Sequence, residues 1–394
     1  MNNLCMTQPN RKPSRVPHGF TLVEMLIVMV IFLMLVAVAL PVVKGLISDQ
    51  KATRTAQNIE AFMDAARSRA IAEGRTVGVR FERLSSVANG NYARSTSLRL
   101  RQLVGVPAYT GDAANAVATL SGSPANTANF DTADSPLIYL SSQILNDTVT
   151  PSNDYLAPIQ VGDMLELPGG RSVPITGIGA VAGSTVPVTF DLAENTAVGA
   201  TGSTVNRFPQ AGGTSATGGN VKYRIQRSPA ASTSRVMSLP RGMAIDFNYS
   251  GIGVGGSQFA PSMDPATLPR AVDILFNASG AVSQVIYNSV NTRVFPTGLI
   301  YFCVGEIDGV ASVEGAAAAD RDNLFSQDST LTTNIMDPDS LWVVVNPASG
   351  RVTTVSMATP GTIPADPTDP TTLAYGEALK PARVFATFSD TVAE

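Results

Sequence analysis

The acidic residue Glu24 stands immediately before a long apolar segment, and its type and position indicate a function more strongly than those of other residues in the chain. It ends the run Gly19-Phe20-Thr21-Leu22-Val23-Glu24 and is followed by apolar residues from Met25 to Val43. A carboxylate at the centre of a membrane helix costs about 2.5–3.5 kcal/mol on insertion scales, and a terminal position lowers this cost. Because a plain membrane anchor gains nothing from such an acid, its presence indicates a specific task.

The apolar segment is long enough to cross a bilayer as a helix. Met25 to Val43 is 19 residues, which at ~1.5 Å per residue form a helix about 29 Å long, close to the ~30 Å hydrocarbon core. Basic residues (Arg11, Lys12, Arg15) lie only on its N-terminal side, so we expect a cytoplasmic N-terminus and an exported C-terminal bulk. A cleaved secretory signal peptide is the alternative, although no small-x-small site directly follows Val43.

The segment from Gly19 onward resembles the processing and assembly signal of bacterial type IV prepilins and type II secretion pseudopilins. The resemblance implies cleavage between Gly19 and Phe20 by a prepilin peptidase, and N-methylation of Phe20 by the same enzyme. It also implies that Glu24 pairs with the terminal amine of a neighbouring subunit, and that Pro41 kinks the helix. Two opposite charges attract far more strongly in low-dielectric surroundings than in water.

Few other residues are candidates for chemistry. His18 and Cys5 precede the predicted cleavage, so the mature chain has no histidine and one cysteine, Cys303. This excludes Ser–His and Cys–His pairs and His-based zinc sites, and we predict no cofactor. Catalysis by carboxylates alone stays open. Asp320 and Asp322 begin a calcium-loop spacing but lack the turning glycine and the terminal glutamate, which leaves a weak calcium hypothesis.

Nucleotide and nucleic-acid binding are not predicted. Residues 251–256 satisfy Gly-x-Gly-x-x-Gly, but Ser257-Gln258-Phe259-Ala260-Pro261 cannot open the helix that a phosphate site needs, so a loop is expected. The formal net charge of −4 becomes about −7 once the three basic leader residues are removed. A mildly acidic exterior has no nucleic-acid footprint.

A long helix followed by a sheet must position the N-terminal signal. After Pro41 one apolar stripe recurs at three- and four-residue steps, and Gly74 is the predicted end of the helix. Its members are Ala52, Thr55, Ala56, Ile59, Phe62, Met63, Ala66 and Ala70. Thr76–Phe81 then reads as a strand, with Leu98–Arg101 as its antiparallel partner. This passage resembles the minor pseudopilin and fimbrial family related to the type II secretion H component.

The amino-acid composition changes between Gly105 and Gly219, where Ala, Gly, Ser, Thr and Asn are the most frequent residues. This stretch has nine acidic and two basic residues. Val161–Leu167 and Val173–Ile178 predict a hairpin around Pro168-Gly169-Gly170, and Val186–Asp191 predicts a further strand. We interpret the stretch as an inserted β-rich subdomain, and a disordered low-complexity insertion remains the alternative.

Regular alternation resumes at Val221 and predicts a series of strands. They are Val221–Ile225, Met243–Tyr249, Ala271–Phe276, Val282–Tyr287, Leu299–Val304, Leu341–Val345, Val352–Met357 and Val384–Phe388. Two Asn-initiated turns with a following glycine, at residues 277–280 and 346–350, predict hairpins.

The predicted fold class is α+β, with a long N-terminal helical spine, its first half in the membrane, packed on an antiparallel sheet that carries a β-rich insertion. The predicted segments are a cleaved leader (1–19), a transmembrane and assembly helix (20–43), the periplasmic half of the spine (44–75), the start of the head (76–104), the insertion (105–220) and the rest of the head (221–394).

The function that these features predict is a non-catalytic minor pilin or pseudopilin of a type IV pilus or type II secretion filament. The expected partners are the prepilin peptidase and N-methyltransferase, other pilins or pseudopilins, an inner-membrane assembly platform and the lipid bilayer. The expected location is the bacterial inner membrane, with the head in the periplasm and later extraction into a filament. The alternative is a membrane-tethered periplasmic enzyme or ligand-binding module that uses a prepilin-like export signal.

Overall fold

The computed structural model describes residues 21–84, 91–122, 125–147, 157–168, 172–190, 196–198, 204–206, 210–211, 214–215, 219–262, 271–287, 292–311, 323–328 and 331–391. For 38–49, 91–92, 125, 196–198, 204–206, 210–211, 214–215 and 389–391 it describes only the backbone. The chain divides into two compact units, Met1–Gln50 and Lys51–Glu394. Four α-helices are present in the described residues: α1 (Leu22–Glu73), α2 (Pro136–Leu145), α3 (Leu373–Ala382) and α4 (Val384–Thr391).

The first unit contains the beginning of α1, which is assigned as helix without interruption through position 41. Gly19 and Phe20 lie outside the described residues, and so does the side chain of Pro41, so the kink stays a prediction. Within the part of the chain that the structure describes, no helix has an apolar stretch long enough to cross a membrane.

In the second unit, residues 51–73 of α1 bury the predicted apolar stripe. Ala56, Ile59, Met63, Ala66 and Ala70 are fully buried in the main hydrophobic core. Their spacing of three and four residues places them on one helical face, which packs against the sheet that follows. The helix ends at Glu73, and Gly74 has a positive φ of +64°, as expected for a glycine just past a helix C-terminus.

The strands assigned to the described residues are, in chain order, β1 (Val77–Arg83), β2 (Thr96–Val104), β3 (Ala118–Gly122), β4 (Ala125–Asp131), β5 (Met164–Glu166), β6 (Ser172–Ile178), β7 (Thr185–Phe190), β8 (Thr196–Val198), β9 (Thr204–Asn206), β10 (Gln210–Ala211), β11 (Thr214–Ser215), β12 (Asn220–Val221), β13 (Arg224–Gln226), β14 (Ala230–Ser238), β15 (Met243–Ile252), β16 (Val272–Phe276), β17 (Val282–Tyr287), β18 (Thr292–Val294), β19 (Ile300–Glu306), β20 (Leu341–Val345) and β21 (Val352–Ser356).

The main sheet is antiparallel throughout and has the order β18-β17-β16-β1-β2-β15-β19-β20-β21, with β14 paired to β2 beside this path. The predicted pairing of the first two strands is observed, with Phe81 opposite Leu100. Val79, Phe81 and Leu100 face α1, and Phe81 stacks on Phe302 at 4.1 Å between ring centroids. The mixed α+β fold class is confirmed.

The sheet curls around the second half of α1, because turns from opposite ends of its strand order meet. The backbone N–H of Val282, after the β16–β17 turn, donates to the carbonyl of Pro347 in the β20–β21 turn at 2.9 Å. Arg67 of α1 donates through Nε to the carbonyls of Gly280 (3.2 Å) and Ser349 (3.0 Å), one in each turn. One guanidinium therefore fixes both turns to the helix.

We expect Gly350→Ala to destabilise the chain far more than Gly74→Ala. An added Cβ at Gly350 (φ +66°) lies 1.8 Å from the carbonyl oxygen of Gly280, whereas at Gly74 (φ +64°) nothing lies within 4 Å. The left-handed conformation costs about 1–2 kcal/mol in both variants, and the backbone clash adds about 2 kcal/mol or more at Gly350. Thermal unfolding measures the difference, and equal melting temperatures would contradict the contact between the two turns.

The predicted insertion forms a second antiparallel sheet with the order β12-β3-β4-β7-β6-β5-β13. The predicted hairpin is present, with Leu165 opposite Val173. The two end strands, β12 and β13, are successive pieces of the segment 220–226: Val221 pairs with β3 and Ile225 with β5. This segment therefore closes the sheet into a barrel, and its last strand lies beyond the boundary predicted at residue 220.

The barrel has its own core and is inserted at the tip of a hairpin of the main sheet. Leu120, Phe130 and Val188 are fully buried in its interior, and Ile138 of α2 joins them. The chain leaves the main sheet at the end of β2 and returns at the start of β14, where Val104 lies opposite Ala230. The strands β2 and β14 would form a simple hairpin without the insertion.

One buried ion pair ties the barrel to the main sheet. Asp163, just before β5, accepts a hydrogen bond from Nη2 of Arg293 in β18 at 2.7 Å. The same carboxylate accepts from the Ser228 hydroxyl at 2.6 Å, and Nε of Arg293 donates to the carbonyl of Gly162 at 2.9 Å. Burial raises the pKa of Asp163, and Arg293 opposes that shift.

The prediction of a strand at Val384–Phe388 is wrong, because these residues begin α4. Ala382 and Ala386 are buried against the face of the main sheet opposite α1, together with Trp342 and Tyr375. Phe385 and Phe388 are exposed. The buried positions recur every four residues, so helical packing overrides the strand propensity of the local sequence.

Candidate assembly site at the start of the first helix

Thr21 and Glu24 form a closed hydrogen-bonded pair at the N-terminus of α1. The backbone N–H and the hydroxyl of Thr21 both donate to Oε2 of Glu24, each at 2.9 Å. In return the backbone N–H of Glu24 donates to Oγ1 of Thr21 at 3.2 Å. Because α1 begins at Leu22, Thr21 is its N-cap residue and Glu24 occupies the third helical position.

This arrangement is a capping box, in which the N-cap hydroxyl and the third-position carboxylate satisfy each other's backbone donors. Glu24 was predicted to act through its charge, and no role was predicted for Thr21. The signal was present, because Thr-x-x-Glu directly before an apolar run is the sequence signature of this motif. Glu24 therefore has a local task, fixing where the helix starts, besides any contact with another subunit.

The side chains that follow the cap present a continuous apolar surface. In the first unit, every residue from Leu22 to Leu35 is exposed. Phe32 is 64% exposed and Met34 67%, although both are strongly apolar. Contiguous apolar surface of this kind indicates contact with lipid or with other protein chains. An acid at the end of an apolar helix can therefore be desolvated when a partner covers that surface.

The remaining predicted site residues are not brought together by the structure. Asp320 and Asp322 lie outside the described residues. No group of three or more His, Cys, Asp or Glu side chains able to hold a metal occurs in the described part of the chain. Cys303 is fully buried, and burial raises the pKa of its thiol well above its usual range, which disfavours the reactive thiolate.

The Gly-x-Gly-x-x-Gly sequence at residues 251–256 begins in the last two residues of β15 and continues into a turn that binds a cation of the protein itself. Arg383 donates through Nη1 to the carbonyl of Gly253 at 2.6 Å and through Nη2 to that of Gly256 at 3.0 Å. Its guanidinium also lies 4.9 Å from the ring centre of Trp342. Burial lowers the pKa of Arg383 to about 10. A phosphate cradle presents N–H donors, whereas Gly253 and Gly256 present carbonyl acceptors to the guanidinium.

A cleft of about 430 Å³ borders this loop and the start of α3. Its polar groups are bonded within the protein. The Ser257 hydroxyl donates to the carbonyl of Pro370 at 2.5 Å, and the Thr372 hydroxyl caps α3 by accepting from the backbone N–H of Tyr375. The side chain of Gln258 bonds both the N–H and the carbonyl of Ile252. The cleft is accordingly a poor candidate for a reaction site.

The head contains a second fully buried carboxylate besides Asp163, that of Asp246. Asp246 of β15 is fully buried; its Oδ1 accepts from the N–H of Asn248 at 2.9 Å and its Oδ2 from Nδ2 of Asn334 at 3.1 Å. Burial raises the pKa of Asp246 to about 7, and the hydrogen bonds only partly oppose this. Neither donor is cationic, so the group is a potential source of pH-dependent stability.

Known proteins resemble part of the chain. The family model described as the prokaryotic N-terminal methylation motif matches residues 15–40, which include Gly19, Phe20 and Glu24. The type IV major alpha-pilin of Moraxella bovis is 36% identical over 117 residues, which is 29% of this chain and 73% of that relative. No solved structure matches the chain.

Proposed function

Because the chain belongs to the type IV prepilin superfamily, we propose that it is a structural subunit of a filament, either a minor type IV pilin or a type II secretion pseudopilin. The match of residues 15–40 to the N-terminal methylation motif carries this proposal. The capped, apolar start of α1 supports it, since such a helix offers a surface for packing against other helices.

In this proposal the prepilin peptidase cleaves between Gly19 and Phe20 and methylates the new amine of Phe20. The helix then holds the subunit in the inner membrane, with the head in the periplasm, until an assembly platform adds it to a filament. Glu24 supplies the negative charge that a neighbouring subunit's terminal amine meets as the helices pack. The pairing gains strength because apolar side chains on the helix exclude water around it.

The superfamily supports a structural rather than a catalytic role for the chain. The buried state of Cys303 and the carbonyl-lined glycine loop add to this in the described residues, since neither offers a nucleophile or a phosphate cradle. A membrane-tethered enzyme or ligand-binding module would use the same export signal but would not need Glu24 for assembly. The role of Glu24 therefore distinguishes the two candidates.

Mass spectrometry of the mature N-terminus tests the processing step. We expect the chain purified from membranes to begin at N-methylated Phe20. Deleting the peptidase gene in the same strain should leave the leader attached, which serves as the control. An N-terminus beyond Val43, or an intact leader in the presence of the peptidase, would contradict the proposal.

A further inference from the structure

The barrel and the main sheet have separate hydrophobic cores. Among the described residues, the barrel core consists of side chains between Tyr109 and Ile225, and the core around α1 contains none of them. A small buried cluster of the main sheet (Leu103, Leu275 and Ile286) is also separate from the barrel core. Parts of a chain whose cores do not merge are expected to move relative to each other unless a specific contact holds them.

A stalk of two chain segments, 105–108 and 226–229, connects the barrel to the main sheet. Arg227 in the second segment donates through Nε and Nη2 to the carbonyl of Pro107 in the first, at 3.2 and 3.1 Å. This contact holds the two segments together. A ribbon of two chains twists and bends more readily than a wide sheet, so the stalk by itself does not fix the direction of the barrel.

The contact that does fix this direction is polar and converges on Asp163. Its Oδ1 accepts from Nη2 of Arg293 at 2.7 Å and from the hydroxyl of Ser228 in the stalk at 2.6 Å. Arg293, in the end strand β18 of the main sheet, also donates through Nε to the carbonyl of Gly162 at 2.9 Å. Only 0% and 6% of the Asp163 and Arg293 side chains are exposed. Hydrogen bonds between an arginine and a carboxylate are geometrically specific, so this contact selects one orientation.

We propose that the Asp163–Arg293 pair is a latch that holds the barrel in one orientation on the main sheet, and that the barrel pivots on its stalk when the latch is removed. Burying two charges costs about as much free energy as their attraction returns, so replacing a buried pair by neutral side chains often leaves stability unchanged. We therefore expect the pair to determine the orientation of the barrel rather than the melting temperature. This conformational property goes beyond the proposed structural function.

The experiment measures the distance between two spin labels by pulsed electron paramagnetic resonance on the full-length chain in detergent. One label is attached at Asn126→Cys in the barrel and the other at Ser356→Cys in the main sheet, both exposed positions. Cys5→Ser removes the cysteine of the leader, and Cys303 is fully buried and out of reach of the label. We expect the wild-type latch to give one narrow distribution of distances.

The variant Asp163→Asn/Arg293→Gln removes both charges and keeps hydrogen-bonding groups at both positions. We expect it to add a second, broader population whose mean distance differs by about 5 Å or more. Its melting temperature should stay within about 2 °C of the wild-type value. The control Glu82→Gln breaks the ion pairs of Glu82 with Arg99 and Arg101 inside the main sheet, and should leave the distances as in the wild type.

Three results would overturn the proposal. A single narrow distribution in the double variant would show that other contacts fix the barrel, and a broad one in the wild type would show that the pair does not hold it. Unfolding of the double variant, or a much lower melting temperature, would show that the pair supports folding instead of orientation. Filament assembly of the same chains reports on the proposed function separately, because the distance measurement does not require it.

Discussion

Glu24→Gln is expected to reduce filament assembly to a few per cent of the wild-type level, while the chain is still processed and still inserted in the membrane. The filament is measured by shearing and immunoblotting, and the membrane pool by fractionation of the same cells. The expected loss is large because the substitution removes the one negative charge that the proposal pairs with a neighbouring amine. A partly desolvated ion pair that loses one partner costs several kcal/mol.

Because of the capping box, the change to glutamine separates the effect of the charge from that of the cap, which a change to alanine cannot do. Oε2 of Glu24 accepts hydrogen bonds from the backbone N–H and the hydroxyl of Thr21. The amide oxygen of glutamine accepts the same bonds, and Glu and Gln both serve at this position of the motif. Glu24→Gln therefore removes the charge and keeps the cap, whereas Glu24→Ala removes both. A defect in the glutamine variant is attributable to the charge.

Thr21→Val provides the converse control. It removes the hydroxyl that accepts from the backbone N–H of Glu24, at a cost of about 1 kcal/mol of helix stability, and leaves the carboxylate in place. We expect near-normal assembly of this variant. Normal assembly of Glu24→Gln together with a failure of Thr21→Val would show that Glu24 acts through the helix start. In that case the proposed pairing with an amine would be wrong.

Local patterns in the sequence predicted much of the main sheet. Alternation of apolar residues identified the β1 and β2 pairing, and Asn-initiated turns identified two hairpins. Both turns are built as their residues suggest: Oδ1 of Asn277 accepts from the N–H of Ser279 at 3.0 Å, and Oδ1 of Asn346 from that of Ala348 at 2.9 Å. These features depend on residues close together in the chain, so they can be predicted from the sequence.

Features that depend on distant residues were not predicted. Closure of the barrel requires the segment 220–226 to pair at one end with β3 and at the other with β5, and no local pattern encodes that choice. The contact between the β16–β17 turn and the β20–β21 turn depends on the curvature of the whole sheet. The Thr21–Glu24 cap at the candidate site is local, and the sequence contains its Thr-x-x-Glu signature, but Glu24 was predicted only to interact through its charge.

The free energy of unfolding is expected to fall as the pH rises from about 4 to about 8, and Asp246 should be a main cause. Its carboxyl is fully buried, and that burial raises its pKa from 3.8 to about 7. The unfolded chain thus loses this proton near pH 4, whereas the folded chain keeps it until about pH 7. Since the folded state binds more protons across this window, stability decreases there, by up to about 4 kcal/mol.

Asp246→Asn isolates this contribution because an amide cannot ionise. Oδ1 of the new side chain can accept from the N–H of Asn248. Its Nδ2 needs an acceptor, which Oδ1 of Asn334, buried and without a hydrogen-bond partner, supplies if that amide rotates. We expect the stability of this variant relative to the wild type to rise by about 2–3 kcal/mol between pH 5 and pH 8. Urea unfolding at the two pH values measures the change.

The matched control is Asp308→Asn, which removes a carboxyl at an exposed position of the same head. It should leave the difference in stability between pH 5 and pH 8 as it is in the wild type. Asp163 also has a raised pKa, so the wild-type slope does not vanish completely in Asp246→Asn. An unchanged slope in Asp246→Asn would mean that the carboxylate is stabilised in its charged form.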